Sequence, residues 1–156
     1  LAKWDVQMGR MEALRDVMQK MPLAPPLISF YVTSSYGKRR DPINRRWASH
    51  YGLDLGGGFK SKVYSTAPGV VTYAGWKGKY GKLVEITHGA GMKTRYSHLN
   101  KFYVKKGQKV KFHQKIGLLG RTGRSTGAHL HYEVVFRGRA KNPMKFIKAG
   151  RNVFQN

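Results

Sequence analysis

Cysteine is absent from the 156 residues, which excludes disulfide bonds and zinc sites with cysteine ligands. The absence is compatible with an oxidising compartment but does not identify one. The chain also lacks any run of roughly 18 apolar residues, the length of a membrane-spanning helix, and it shows no signal peptide. Because the sequence begins at Leu1 and not at methionine, we expect a fragment or a processed form from which any targeting segment has been removed.

Acidic residues are scarce: seven Asp and Glu stand against 30 Lys and Arg, which gives a formal net charge of +23. Such an excess predicts attraction to a polyanion, which can be a nucleic acid, an anionic membrane surface or an acidic cell-wall polymer. The sequence contains no recognisable RNA- or DNA-binding motif. We therefore predict no specific nucleic-acid partner, although sequence-indifferent binding at low salt is expected from the charge alone.

Proline is also infrequent, with six residues, whereas 19 glycines separate short apolar segments. This pattern predicts many short strands joined by tight turns. A chain of 156 residues with 40% hydrophobic residues is long enough for one domain with a modest core.

One helix is predicted over residues 3–21, where apolar side chains recur at helical spacing: Trp4, Met8, Met11, Leu14, Met18 and Met21. Three prolines between residues 22 and 26 end it. Its methionine-rich face is expected to pack on the domain, on a partner, or on a neighbouring segment absent from this chain. Residues 1–27 are therefore interpreted as an amphipathic helix and a proline-rich linker.

The remaining pattern is that of strands. The predicted strands are 28–33, 62–66, 70–76, 82–88, 92–98, 115–119 and 129–136. Residues 34–48 are expected to form a polar, basic loop and residues 143–148 a short closing segment, with no long helix. The predicted fold is mainly β, an antiparallel sheet or partly open sandwich whose loops surround a groove. The domain is expected to span 28–148, followed by a C-terminal tail at 149–156.

Four side chains in two short motifs indicate a metal site. His129 and His131 are two residues apart on a predicted strand, so both project from one face. His50 and Asp54 are four apart and can share a face on either a strand or a helix. A catalytic zinc takes three protein nitrogen or oxygen ligands and leaves one position for water. Three of the four can therefore hold zinc, and the fourth remains for the chemistry.

Histidines outside these motifs have simpler interpretations. His88 precedes a hairpin turn and is expected to be structural. His113 lies in a basic segment and is expected to be exposed. A His-x-His pair alone is a weak signal, but its combination with His50 and Asp54 in a chain of only six histidines is much more specific.

Longer motifs identify the chain from about residue 28 to 148 as similar to the lysostaphin-type (LytM-type) zinc metallo-endopeptidases, which hydrolyse peptidoglycan peptides. The matching segments, in order, are Ser35-Tyr36-Gly37-Lys38-Arg39, His50-Tyr51-Gly52-Leu53-Asp54, Ala67-Pro68-Gly69-Val70-Val71, Tyr80-Gly81-Lys82-Leu83-Val84-Glu85-Ile86, Arg95-Tyr96-Ser97-His98-Leu99 and residues 123–133. The N-terminal helix lies outside the resemblance.

The resemblance implies β-sheets of the duplicated hybrid motif kind, with a groove and one zinc ion per chain at its floor. It implies the zinc ligands His50, Asp54 and His131 and the catalytic residues His129 and His98. The alternative is a non-catalytic cell-wall-binding or hydrolase-activating module of the same fold. Such degenerate relatives lack zinc ligands, whereas every expected ligand is present here.

Two neutral imidazoles and one carboxylate leave a zinc site with a net charge of about +1, which lowers the pKa of water and polarises a scissile carbonyl. We predict that His129 is the general base, because an imidazole titrates near neutral pH. His98 can orient the water or, when protonated, stabilise the oxyanion; the sequence does not divide the two roles.

Glu133 has two interpretations: it hydrogen-bonds the outer nitrogen of a histidine ligand, or it is an ordinary strand residue. Tyr96 is a candidate to bind substrate, or a packed strand tyrosine.

The substrate implied by the resemblance is a peptidoglycan cross-link. Enzymes that cut D-alanyl–diaminopimelate bridges and enzymes that cut glycine bridges both resemble the chain. The sequence is more similar to the Gram-negative murein D,D-endopeptidases, which cut the first kind. The resemblance also implies a periplasmic or secreted location in the bacterial envelope, where the positive charge would favour anionic envelope polymers. We expect a monomer.

Overall fold

The computed structural model describes residues 3–41 and 43–154. The outer ends of the predicted segments 1–27 and 149–156, namely residues 1, 2, 155 and 156, lie outside the described residues. The division of the chain at residues 27 and 148 stays a prediction.

The described residues form short strands between two helices. The helices are α1 (Lys3–Gln19) and α2 (Pro143–Phe154), and a 3-10 turn spans Gly78–Tyr80. The strands are β1 (Tyr31–Ser34), β2 (Gly37–Arg40), β3 (Trp47–His50), β4 (Leu53–Gly56), β5 (Lys62–Tyr64), β6 (Gly69–Trp76), β7 (Lys82–Gly89), β8 (Met92–Leu99), β9 (Lys101–Phe102), β10 (Lys109–Val110), β11 (Lys115–Leu118), β12 (Leu130–Phe136) and β13 (Arg139–Lys141).

One large antiparallel sheet dominates the fold. Its strand order is β1-β4-β12-β8-β7-β6-β10, and β13 pairs with β12 at the side of this path. A three-stranded sheet has the order β5-β11-β9, and β2 and β3 form a separate hairpin. The predicted class, mainly antiparallel β with an N-terminal helix, is confirmed. Among the described residues, neither helix is long and apolar enough to cross a membrane.

The core lies between the large sheet and the three-stranded sheet. On β12, Leu130, Tyr132 and Val134 alternate with the groove-facing residues and are completely buried. Val63 and Ile116 bury the inner face of the smaller sheet against the same cluster. The predicted apolar face of β12 is therefore the core face, and the opposite face of the strand is free to carry polar chemistry.

The predicted basic loop at 34–48 was wrong, because part of it forms the β2–β3 hairpin. The strands are rich in basic and polar residues and lack the apolar alternation that marks a half-buried strand. The turn is stabilised by Asp41, whose carboxylate accepts hydrogen bonds from the backbone N–H groups of Ile43 (2.8 Å) and Asn44 (3.2 Å). Side-chain hydrogen bonding at the turn therefore supports this hairpin without a hydrophobic face.

The predicted short closing segment is instead the 12-residue helix α2, which crosses the expected boundary at residue 148. Asn142 accepts a hydrogen bond from the N–H of Met144 (3.1 Å) and caps the first turn. Pro143 occupies the first helical position, where its missing N–H has no cost. The Asn-Pro pair is thus a helix-start signal that the strand pattern before it concealed.

Helix α1 forms where the methionine spacing predicts it, but none of its residues is buried. Trp4, Met11 and Leu14 are more than half exposed. Its apolar face is therefore not buried against the domain along this helix, and packing on a partner or on a neighbouring segment stays a prediction.

A hydrogen-bonded cluster inside the core contains His88, which confirms its predicted structural role. Its Nδ1 donates to the carbonyl of Pro68 (2.8 Å), and its Nε2 lies 2.7 Å from the Thr94 hydroxyl. The Thr94 hydroxyl lies 2.8 Å from that of Tyr96, which accepts a hydrogen bond from the N–H of Thr66 (3.0 Å). Burial lowers the pKa of His88 more than the hydrogen bond to Pro68 raises it.

This pKa direction predicts a loss of stability in mild acid. Above the unfolded value of 6.5, His88 is neutral in both states; below it, the unfolded chain binds a proton that the folded core excludes. The free energy of unfolding should therefore fall as pH drops through 6.5, by up to about 1.4 kcal/mol per pH unit from this residue.

Chemical denaturation between pH 5 and 8 tests the prediction by comparing the wild type with His88→Gln, which share every other titrating group. The wild type should lose its stability advantage as the pH falls. The same substitution at the exposed His113 is the control, and an equal change of slope in both variants would contradict the prediction.

Candidate metal centre

Strand register brings the predicted metal ligands together. In the antiparallel pairing of β12 with β4, His131 lies directly opposite Asp54. His50 ends β3, and the chain turns at residues 51 and 52 before β4 begins. His50 and Asp54 therefore meet across a turn, not along one strand or helix. Ligand atoms of His50, Asp54 and His131 all lie within 4.8 Å of one another.

Gly52 makes this turn compatible with the site. A Cβ atom at this position would lie 2.7 Å from Cε1 of His131 and 2.9 Å from Cγ of Glu133. Any larger residue would push against the ligand strand, so the spacing between His50 and Asp54 depends on glycine for close approach.

Both ligand histidines are oriented by their outer ring nitrogens. Nδ1 of His50 donates to the carbonyl of Ser35 (2.9 Å), which leaves its Nε2 facing Asp54 at 3.2 Å. Nε2 of His131 lies 3.1 Å from Glu133, which leaves its Nδ1 facing Asp54 at 2.7 Å. Each ring thus engages one nitrogen outside the centre and turns the other inward, the arrangement that fixes tautomer and direction in metal sites.

Glu133 is held by a network of its own. The Tyr80 hydroxyl donates to both carboxylate oxygens (3.1 and 3.0 Å), and Nη1 of Arg95 lies 3.4 Å from one of them. Burial would raise the pKa of Glu133, but the hydrogen bond and charge of His131, together with Tyr80 and Arg95, lower it. Burial and the Glu133 charge raise the pKa of Tyr80 to about 12, so its hydroxyl remains a donor. An ionised Glu133 can therefore accept a hydrogen bond from the Nε2–H group of His131.

The three side chains polarise one another strongly. Burial would raise the pKa of Asp54, but hydrogen bonds from His131 and His50 hold it below its usual range. Burial would lower the pKa of His131, but Asp54 and Glu133 raise it to about 9. A buried carboxylate and an imidazole share a proton in this arrangement. A divalent cation can displace that proton and bind to both groups. Two nitrogen donors and one oxygen donor, with open space beside them, fit a zinc ion.

His129 lies next to this cluster and is oriented in the same way. Its Nδ1 is 3.0 Å from the carbonyl of Gly127 and 3.1 Å from the hydroxyl of Ser125. Its Nε2 faces the centre, 3.8 Å from Asp54. The carbonyl can only accept a hydrogen bond, so Nδ1 carries the proton and Nε2 offers its lone pair to the groove.

His98 reaches the same space through an unusual backbone conformation. Its φ of +61° is in the left-handed region, which a non-glycine residue adopts rarely and typically at functional sites. Nδ1 donates to the carbonyl of Thr122 (2.7 Å), and the ring lies 4.8 Å from that of His129, centroid to centroid. Burial, more than the neighbouring histidines, lowers the pKa of His98 to about 4. A neutral His98 suits the water-orienting role, and the division of roles between His98 and His129 stays a prediction.

The backbone conformation of His98 also explains why Tyr96 lies outside the candidate site. Regular alternation would place Tyr96 and His98 on one face, but the positive φ of His98 breaks this alternation within β8. Tyr96 is fully buried in the core, and its hydroxyl is bonded to Thr66 and Thr94. The structure therefore contradicts substrate contact by Tyr96 and favours its packed-strand interpretation. Glu133, in contrast, contacts His131, which agrees with the first of its two interpretations and not with that of an ordinary strand residue.

The candidate centre opens into a cavity of about 500 Å³. Its lining includes His50, Asp54, Tyr80, His98, His129, His131 and Glu133. Arg124 and Asp41 also line it and form a two-fold ion pair, with both nitrogen–oxygen distances at 2.9 Å. Chiefly through the hydrogen bond to Arg124, this pair holds the pKa of Asp41 below its usual range. It ties the β2–β3 hairpin to the loop before β12 at the mouth of the cavity.

Sequence reasoning did not single out Tyr80, Arg95, Asp41 or Arg124. Tyr80, Arg95 and Arg124 stand within the segments that carry the family resemblance, which was the available signal. Asp41 and Arg124 are 83 positions apart, and no pattern in the sequence connects them.

Comparison with known proteins adds independent information. The model of peptidase family M23 matches residues 48–143, more than half of the chain. A relative named Peptidoglycan DD-endopeptidase ShyA, from Vibrio cholerae, is 42% identical over 135 residues, which are 86% of this chain and 31% of that protein. The chain therefore spans about a third of the length of this relative.

Solved structures of zinc-containing and lysostaphin peptidases are similar to this chain. A zinc-containing peptidase from Vibrio cholerae superposes with a TM-score of 0.73 and 40% identity, covering 80% of this chain and 39% of the other. The catalytic domain of the antimicrobial peptidase lysostaphin, from Staphylococcus simulans, superposes with a TM-score of 0.70 and 32% identity. That match covers 76% of this chain and 92% of the lysostaphin domain.

The hydrogen bond from His131 to Glu133 generates a prediction about metal affinity. Glu133→Gln replaces a charged acceptor by a neutral one of the same shape, so the imidazole becomes a weaker ligand. We expect zinc affinity to fall by about 10- to 100-fold, measured by competition with a chromophoric chelator at fixed pH.

Glu85→Gln is the matched control, because Glu85 also pairs with Arg95 (2.8 Å) but is not a hydrogen-bond partner of His131. Its zinc affinity should equal that of the wild type. Equal affinities for zinc in the wild type and Glu133→Gln would show that Glu133 does not support a metal ligand.

Proposed function

Because the chain belongs to peptidase family M23, we propose that it is a zinc-dependent endopeptidase that hydrolyses peptide cross-links of peptidoglycan, namely the D-alanyl–diaminopimelate bond. The observation that carries the proposal is the convergence of His50, Asp54 and His131 within 4.8 Å, beside two histidines whose free nitrogens face the same cavity. A binding module needs neither feature. Zinc as the metal is supported by the donor set and by the zinc-containing relative from Vibrio cholerae.

The residues have distinct roles in this proposal. His50, Asp54 and His131 hold the zinc ion, which would polarise the scissile carbonyl and lower the pKa of water. His129 takes the proton of the attacking water at Nε2 and later returns it to the leaving amine. The Gly127 carbonyl, by binding Nδ1–H of His129 (3.0 Å), keeps that nitrogen in the required tautomer. His98, neutral and fixed by Thr122, orients the water from the other side.

The choice of substrate rests on relatives and charge. The relatives carry the names of peptidoglycan DD-endopeptidase and DD-carboxypeptidase/endopeptidase, which favours the D,D-bond over glycine bridges. Peptidoglycan peptides carry free carboxylates, and a chain with a net charge of +23 raises the local concentration of such a substrate. The same charge supports association with anionic envelope polymers. A periplasmic or secreted location and a monomeric state are part of this proposal.

Digestion of purified cross-linked peptidoglycan tests the function. The wild type should convert muropeptide dimers to monomers, a chelator should abolish the conversion, and added zinc should restore it. His129→Ala should reduce the rate by about 10²- to 10⁴-fold while retaining one bound zinc, because it removes the base and no ligand. Mass spectrometry of the released muropeptides identifies the bond.

His113→Ala is the control, because His113 is exposed and does not line the cavity of the metal centre. Full activity in the presence of chelator, or in His129→Ala, would contradict the mechanism. A zinc-loaded wild type that binds peptidoglycan and leaves every dimer intact would favour the non-catalytic module instead.

A further inference from the structure

The groove continues past the metal centre along the outer face of the large sheet. A second cavity of about 500 Å³ shares Tyr51, Tyr80 and Glu133 with the first. Strand pairing places two further rows of residues on this face, with Arg95 opposite Glu133 and Lys93 opposite Val135. The second cavity is thus a direct extension of the first.

Positive charge is in excess in the extension. Its lining contains Lys93, Arg95 and Arg137 but one carboxylate, Glu133. Arg95 is engaged between Glu85 (2.8 Å) and Glu133 (3.4 Å). The other two cations are more available: Lys93 approaches Glu85 only to 3.9 Å and is 45% exposed. Arg137 has no ion pair within the described residues, and its guanidinium lies over the Phe136 ring at 5.0 Å.

Arg137 is held at this end of the groove against its backbone preference. Together with Gly138 it forms the two-residue turn between β12 and β13, and both have positive φ, +49° and +79°. Asn and Gly suit such a turn, whereas arginine is disfavoured there. The N–H of Arg137 donates to the carbonyl of Gly91 (2.9 Å), and a Cβ on Gly91 would lie 3.0 Å from Cγ of Arg137. A disfavoured residue packed against a glycine indicates a function for its side chain.

The distance from the metal centre defines what the extension can bind. Arg137 follows His131 by six residues on the strand, which is about 20 Å, and Lys93, opposite Val135, lies about 13 Å from His131. The two cations therefore lie about 13 to 20 Å from the bond at the metal centre, a span that γ-linked glutamate and diaminopimelate cover in fewer residues than an ordinary extended peptide, because their linkages are longer than its rise of about 3.3 to 3.6 Å per residue.

We propose that Lys93 and Arg137 form a carboxylate-binding subsite for an acidic peptide whose free carboxylate lies about 13 to 20 Å from the scissile bond. The subsite rests on the proposed function for its substrate, since peptidoglycan stem peptides carry such carboxylates. It selects acidic over amidated peptides and sets the direction in which the chain enters the groove. Arg95, neutralised by two carboxylates, supports the floor and does not bind the ligand.

Binding of a synthetic acidic tetrapeptide, L-Ala-γ-D-Glu-diaminopimelate-D-Ala, tests the subsite by equilibrium titration against the same peptide with amidated carboxylates. The wild type should prefer the free acid. Arg137→Asn and Lys93→Gln should each weaken binding of the acid by about fivefold, the upper range for an exposed ion pair, and leave the amidated peptide unaffected. Because asparagine suits the turn, the thermal midpoint of Arg137→Asn should be equal to or above that of the wild type.

Arg139→Gln is the matched control, because Arg139 is an exposed arginine two positions away that does not line the extension. Equal binding of the acidic and amidated peptides by the wild type, or an equal loss in Arg139→Gln, would overturn the subsite and show only general charge attraction. The titration requires no turnover. A wild type that discriminates the peptides but leaves peptidoglycan dimers intact would therefore retain the subsite and refute the proposed function.

Discussion

The register of β12 against its two neighbours is the constraint on which the candidate site depends. Leu130 and Tyr132 are completely buried on the core face, so the residues between and after them, His131 and Glu133, must face the groove. Pairing with β4 then sets His131 opposite Asp54. A slip of one residue would exchange the two faces and place the imidazole in the core. The hydrophobic core therefore specifies the metal centre without contacting it.

Three backbone carbonyls and one buried carboxylate orient the four histidine rings that the strand register brings together. Ser35, Thr122 and Gly127 each provide a carbonyl for one histidine, and Glu133 takes the fourth. These acceptors lie between β1 and β2, in the loop before β12 and on β12 itself, so the four rings converge only when these distant segments pack together. This arrangement offsets the cost of burying polar rings, and it leaves four inward nitrogens around one carboxylate. The site is thus prepared for a cation before any cation binds.

Sequence reasoning predicted the features that follow from strand alternation and failed where local conformation departs from it. Six of the seven predicted strands lie within two residues of their predicted bounds, and the projection of His129 and His131 to one side follows from their spacing. The short strands β2, β3, β4, β9, β10 and β13 were not predicted. Tyr96 was left with two interpretations, substrate contact and a packed strand residue. The positive φ of His98, which separates the two side chains, is not encoded in any pattern of residue types. The β2–β3 hairpin and the ion pair of Asp41 with Arg124 depend on contacts between distant segments. Helix α2 carried a local signal, Asn142-Pro143, which the reasoning overlooked.

An anomalous-scattering measurement at the zinc edge, on crystals of the purified chain, tests both the identity and the position of the metal. We expect one anomalous peak per chain, bonded to Nε2 of His50, a carboxylate oxygen of Asp54 and Nδ1 of His131 at about 2.0 to 2.2 Å. His98 and His129 should lie near the ion without bonding to it. A peak bonded to His98 or His129, or crystals grown in excess zinc without a peak between β4 and β12, would contradict the assignment.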